Sequence, residues 1–172
     1  MNPEFSRPVR IDMIGEGSHS MAVEAEPAER AALVQRFGLI SLAALSAEAE
    51  LRREGDVVLA TGRIRATVEQ ACVASGVAVP ATIDEPFALR FVPAAADGEA
   101  EIDAEDCDVI DYEGSAVDLG EAVAETLALS LDPFPRAADA DAILREAGVL
   151  SEDEVVTGPF AALKALKDKI QK

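Results

Sequence analysis

Apolar and polar residues alternate along the middle of the chain, in a pattern that is typical of β-strands. Every second residue from 45 to 51 is apolar, and the residues between them are Ser or Glu. The alternation returns over residues 58–68 and 77–91, after the turns Glu54-Gly55-Asp56 and Ala74-Ser75-Gly76. Successive side chains of a strand point to opposite faces, so each run has one face to bury and one to solvate. The pattern therefore predicts an antiparallel β-meander with one solvated face.

Shorter segments extend this predicted sheet to about five strands. Residues 4–14 and 19–26 each favour a strand, and Pro8 places the first of them at an edge. Pro80 and Pro86 interrupt the third long run. Because proline cannot donate a ladder hydrogen bond, these two residues indicate an edge strand or a bulge.

Two segments carry residues that are typical of helix ends. Residues 28–37 follow Pro27 and precede Gly38, which are residue types favoured at the start and just past the end of a helix. Residues 118–131 begin with Asp118-x-x-Glu121, a variant of the capping box in which Glu121 can reach back to the first backbone N–H. We expect both helices to pack on one face of the sheet.

The end of the chain differs in composition from the rest. We expect an α+β core domain over 1–135, and an acidic linker with a C-terminal helix over 136–172. The linker holds a short helix over 139–147, and the last helix begins after Gly158-Pro159. This last helix carries all four lysines of the chain, which can complement its C-terminus.

The net charge of −18 restricts the classes of partner. A surface of this sign repels phosphate backbones, so DNA and anionic membranes are not expected partners. It favours fast, salt-sensitive association with a basic partner. Residues 97–113 concentrate the charge in a predicted mobile loop, in which the pair Val109-Ile110 can reach the core. The ligand spacing of a calcium loop is absent from this stretch.

The sequence offers little for catalysis. His19 is the only histidine and follows a Gly-Ser turn without a nucleophile motif. Cys72 and Cys107 are the only cysteines, too few for a zinc site without a distant carboxylate. We therefore predict no catalytic residue, no metal and no cofactor. With no signal segment and no apolar run of about 20 residues, we expect a cytoplasmic protein.

Several blocks of the sequence resemble the YceD family of bacteria and plastids. They are GRIRATVEQACVAS at 62–75 with FALRF at 87–91, IDY at 110–112 with VDLGE at 117–121, ETLALSLDPFP at 125–135, GPFAAL at 158–163, and the opening EFSRP at 4–8. Many family members place a C-x-x-C at the first block, whereas this chain has Ser75 in place of the second cysteine. The family-motif positions, with no assigned role, are Gly62, Cys72, Glu121, Glu125, Pro133, Phe160 and Leu163.

The resemblance implies a role in the accumulation of large-subunit ribosomal RNA. We expect a non-enzymatic accessory factor that binds a basic ribosomal protein or a pre-ribosomal particle, because the acidic surface suits such a partner. The alternative is direct RNA binding through Arg63, Arg65, Lys164 and Lys167. A nuclease is disfavoured, because that class usually needs carboxylates clustered around a metal or a catalytic histidine.

Overall fold

The computed structural model describes residues 3–15, 17–94 and 108–149, which form an α+β fold. The strands are β1 (Pro8–Arg10), β2 (His19–Glu24), β3 (Ser41–Glu54), β4 (Val57–Ala71), β5 (Ala78–Pro93), β6 (Asp108–Tyr112) and β7 (Ala116–Asp118). The α-helices are α1 (Pro27–Phe37), α2 (Leu119–Ser130) and α3 (Ala140–Glu146), and a single 3₁₀ turn spans Ile11–Met13. No described helix combines the length and apolar character that a membrane crossing requires.

The main sheet has five strands in the order β2-β3-β4-β5-β6. The first four are antiparallel, as predicted, but β6 runs parallel to β5, with Leu89 opposite Asp108 and Pro93 opposite Tyr112. The sheet is therefore mixed, and the prediction of a purely antiparallel meander is wrong. A parallel neighbour needs a connection of roughly a dozen residues, and the segment 94–107 has that length.

The N-terminal strand predicted over 4–14 is also wrong in length and place. Only Pro8–Arg10 is extended, and it pairs with β7 in a separate two-stranded sheet, with Val9 opposite Val117. The fifth strand of the main sheet is instead β6, which comes from the predicted loop 97–113. Residues 97–107 of that predicted loop lie outside the described ranges.

One face of the main sheet carries the core, and the helices α1 and α2 pack on it. The side chains of β3 and β4 that were predicted to face the core are buried, which confirms the prediction. In β5 the prediction is confirmed from Ile83 onward, whereas Val77 is 45% exposed and precedes the strand. The buried positions of these strands are Leu42, Leu45, Ala47, Ala49, Leu51, Val58, Ala60, Ile64, Ala66, Val68, Ile83, Phe87, Leu89 and Phe91.

The two prolines that interrupt β5, Pro80 and Pro86, stand at a sheet edge, as predicted. Strand β6 covers only residues 89–93 of β5, which leaves 78–88 with a neighbour on one side alone among the described strands. Pro80 and Pro86 both lie in that uncovered part. Their missing N–H groups therefore leave no gap in a central ladder.

The helix ends follow their sequence signals. Helix α1 has Pro27 in its first turn and closes at Gly38, whose φ of 65° is the left-handed conformation that glycine adopts without strain. Helix α3 falls within the predicted 139–147. The C-terminal helix predicted after Pro159 lies outside the described residues. The division of the chain at residue 135 stays a prediction.

Candidate functional site

Asp118 holds the N-terminal segment, residues 4–8, against the start of α2. We call this contact region the first junction and residues 4–8 the opening segment. The Asp118 carboxylate accepts hydrogen bonds from the Ser6 hydroxyl at 2.5 Å, the Arg7 backbone N–H at 2.7 Å and the Glu121 backbone N–H at 3.1 Å. The last of these caps the helix, as the sequence predicts. One side chain thus satisfies the first turn of α2 and two groups that lie more than 110 residues away.

Glu121 does not reach back to complete the capping box. Its carboxylate binds Arg36 of α1 at 2.8 Å, and Arg36 also binds Glu4 at 2.9 Å. These two carboxylates, Glu121 foremost, raise the pKa of the Arg36 guanidinium. Gly120 lies against the same N-terminal segment, because a β-carbon there would stand 2.7 Å from the Phe5 carbonyl oxygen. The first junction therefore holds the opening segment, α1 and α2 together. This structural role explains why Glu121 occupies a family-motif position.

A second junction joins the β4–β5 hairpin to the segment that follows α2. The Val73 N–H donates to the Pro135 carbonyl at 2.9 Å, and the Gln70 amide donates to the Asp132 carbonyl at 2.9 Å. The Ala137 N–H donates to the Cys72 sulfur at 3.3 Å. Two of the blocks that resemble the family are therefore in direct contact, although about sixty residues separate them in sequence.

Cys72 is buried at this second junction, with its thiol directed at the backbone of residue 137. The N–H of Ala137 stabilises the thiolate and is the main reason that the pKa of Cys72 falls to about 7. Ser75 lies in the same turn, where many members of the resembled family have a second cysteine. The turn contains one thiol, so no dithiol can form between these two positions.

The lowered pKa of Cys72 can be measured directly. In a Cys107→Ser background, where Cys72 is the only thiol, we expect thiolate absorbance to rise with a midpoint near pH 7. In urea the midpoint should return to about 8.5, the usual value for a free cysteine. Equal midpoints in the folded and the unfolded protein would contradict the Ala137 contact.

Exposed apolar side chains cluster around this second junction. Val73 is 55% exposed, Val77 is 45% exposed and Phe134 is 71% exposed. We call these three residues the apolar end surface, because the hairpin closes one end of the main sheet. Their backbones are fixed by the Val73–Pro135 bond and by the Cys72 N–H, which donates to the Val77 carbonyl at 2.8 Å. Exposed apolar groups on a fixed backbone are typical of interaction sites.

Arg63 and Arg65 project from the solvated face of β4, as predicted, but both are engaged by carboxylates. Arg63 binds Asp84 at 2.7 Å, and Arg65 lies 3.5 Å from Glu48 and 3.8 Å from Asp84. The two guanidinium groups therefore share two carboxylates, which offset their positive charge.

The remaining predicted positions do not converge on one site. Gly62 lies in β4 beneath the ring of Phe87, Glu125 is exposed on α2, and Pro133 belongs to the turn of the second junction. Four predicted positions lie outside the described residues, namely Phe160, Leu163, Lys164 and Lys167. Among the described residues, no group of three or more His, Cys, Asp or Glu is arranged to hold a metal ion.

A family model described as "Large ribosomal RNA subunit accumulation protein YceD" matches residues 60–167. The chain belongs to the YceD family. The YceD match contains every predicted motif position from Gly62 to Leu163, and it includes both partners of the second junction. The opening segment, which the first junction fastens, precedes the match. No curated protein and no solved structure matches the chain.

Sequence reasoning placed Cys72 and Pro133 in family blocks but did not single out Phe134 or Val73. The available signal was the position of Phe134 between two prolines, immediately after a helix. A phenylalanine in such a turn cannot continue the apolar stripe of the helix, so its exposure could have been suspected.

Proposed function

We propose that this YceD-family chain is a non-enzymatic accessory factor for the large ribosomal subunit, which binds a basic ribosomal protein or a pre-ribosomal particle. The family description supports the pathway, namely accumulation of the large ribosomal RNA subunit. The distribution of charge supports the mode of action. An acidic accessory factor shields a basic partner from premature contact with RNA, and it releases that partner when RNA competes for the same cations.

The observation that carries this proposal is that eight of the eleven arginines, all but Arg30, Arg90 and Arg145, form ion pairs with the chain's own carboxylates among the described residues. The described residues form ten arginine–carboxylate ion pairs, while the whole chain has 33 acidic and 15 basic residues. The carboxylates that remain give the surface its net charge of −18. Such a surface attracts polycations and repels polyphosphates.

The competing hypothesis of direct RNA binding needs Arg63 and Arg65 to leave their carboxylates. Asp84 and Glu48 would then face the phosphates at close range, which opposes binding. The lysines at 164 and 167 would have to supply most of the attraction. RNA binding therefore remains the second candidate.

A pull-down of the tagged chain from extract of its own cells separates the two candidates. We expect basic ribosomal proteins to remain bound after ribonuclease treatment and to leave when salt is raised, because exposed charges are screened at high ionic strength. Recovery that requires intact RNA would contradict a direct protein partner. In that case Arg63→Glu with Arg65→Glu should abolish RNA retention, whereas Arg52→Glu, on the same face of the sheet, serves as the matched control.

A further inference from the structure

Phe134 is out of place for a side chain that serves only the fold. Among the described phenylalanines, Phe5, Phe87 and Phe91 are buried and Phe37 is partly buried, whereas Phe134 is 71% exposed. The chain has only six phenylalanines, one tyrosine and no tryptophan. Leaving one of these aromatic rings in water forgoes a large burial term, and aromatic side chains dominate the energetics of protein interfaces.

The ring of Phe134 is held on a fixed support. The Phe134 N–H donates to the Asp132 carboxylate at 2.9 Å, and the Asp132 carbonyl accepts from Gln70 at 2.9 Å. The hydrogen bond from Val73 to Pro135 brings the other side of the apolar end surface beside it. A preformed contact loses less conformational entropy on binding than a mobile one does.

The surroundings of this surface are negative. Asp132 and Asp139 form no ion pair with any described residue, and Arg136, which lies between them in sequence, binds Asp141 at 3.3 Å. Helix α2 ends two residues before Asp132 and has no basic residue in its last turn. The carbonyl end of a helix carries partial negative charge, so α2 adds to the field of the two carboxylates.

Apolar anchors inside a negative rim match a partner of one chemical kind. A nucleic acid is repelled by the rim, and a second copy of this chain brings the same negative charge to the contact. We infer that the apolar end surface is the specific contact for a basic polypeptide, whose apolar side chains cover Phe134 and Val73 while its lysines or arginines meet Asp132, Asp139 and the end of α2. This inference rests on the proposed function and locates its contact.

The test uses full-length chain and an RNA-free protein extract of salt-washed large ribosomal subunits as the probe. We expect Phe134→Ser combined with Val73→Ser to reduce capture of the basic protein about tenfold or more, because an exposed aromatic anchor is a typical hot spot. Met13→Ser is the matched control. Met13 is 70% exposed and lies at the opposite end of the sheet, where the Arg53 N–H donates to the Gly15 carbonyl.

The outcomes of this test separate the inference from the proposed function. Capture by the wild type that the double variant retains would overturn the inference and leave the proposed function standing. No capture by the wild type would overturn both. Both replaced side chains are mostly exposed, so urea unfolding of the variant should match the wild type. If the double variant does not fold, Phe134→Ser alone decides the question.

A photo-crosslinking residue introduced at position 134 identifies the occupant. The expected adduct with the same extract is a basic ribosomal protein. An adduct only with a second copy, or only with residues 158–172 of the same chain, would overturn the inference. The role of the negative rim is tested with the double variant Asp132→Asn, Asp139→Asn. At low salt it should weaken capture more than the control double variant Glu24→Gln, Glu50→Gln, which removes the same charge elsewhere. Equal effects of the two pairs would overturn the role of the rim.

Discussion

Replacing Gly62 by alanine is expected to destabilise the protein by about 3 kcal/mol, because the new methyl group has no room in the sheet. A β-carbon at this position would stand 2.8 Å from Cζ of Phe87 and 2.9 Å from Cα of Ala49, and it would overlap the backbone carbonyl of Glu48. The Phe87 ring can rotate away, but the backbone atoms belong to β3, the direct neighbour of β4. Relieving this overlap therefore requires β3 and β4 to separate locally.

The measurement for Gly62→Ala is urea unfolding followed by circular dichroism. Gly17→Ala is the matched control, because nothing lies within 4 Å of a β-carbon there and its φ does not require glycine. We expect that control to change the free energy of unfolding by less than about 1 kcal/mol, and to stabilise slightly if it changes it at all. A Gly62→Ala protein as stable as Gly17→Ala would show that the strands yield at no cost.

Replacing Asp118 by alanine is expected to cost a similar amount, about 3 kcal/mol. The loss has two parts, a helix cap worth about 1 kcal/mol and the hydrogen bonds that a charged carboxylate accepts from Ser6 and Arg7. The variant leaves the Arg7 N–H and the Ser6 hydroxyl without their acceptor in a partly buried place. We expect the opening segment to detach before the main sheet unfolds.

Urea unfolding and hydrogen exchange of the opening segment measure the effect of Asp118→Ala. Asp139→Ala is the matched control, because Asp139 holds the equivalent place before α3 but its side chain makes no capping hydrogen bond. That control should stay within about 0.5 kcal/mol of the wild type. Equal effects of the two variants would mean that the contacts of Asp118 contribute nothing beyond those of an exposed aspartate.

The two junctions explain why scattered family motifs belong together. The blocks at 4–8 and 117–121 meet at Asp118 and Arg36, and the blocks at 62–75 and 125–135 meet at Cys72 and Pro135. The first junction is made of partly buried polar contacts and serves the fold. The second carries exposed apolar residues as well, so it is the stronger candidate for a binding role.

The sequence by itself determined the central strands and the helix ends. Alternation with a period of two fixes which side chains of β3 and β4 are buried, because a slip of one residue would turn every apolar side chain to water. Pro27 and Gly38 mark α1, and Asp118 marks α2, through local backbone chemistry alone. The family blocks were also evident in the sequence, and with them the link to the large ribosomal subunit.

Tertiary structure decided what local patterns do not encode. Strand β6 has the sequence DVIDY, whose carboxylates favour a solvated loop, and its parallel place beside β5 depends on a distant pairing. The short β1 pairs with β7 across more than 100 residues, so no local signal distinguishes it from a strand of the main sheet. The apolar end surface likewise exists only because the turn after α2 folds back onto the hairpin at Cys72. Contacts between residues far apart in sequence leave no periodic pattern and no capping signal in the local sequence, because they depend on how the whole chain packs.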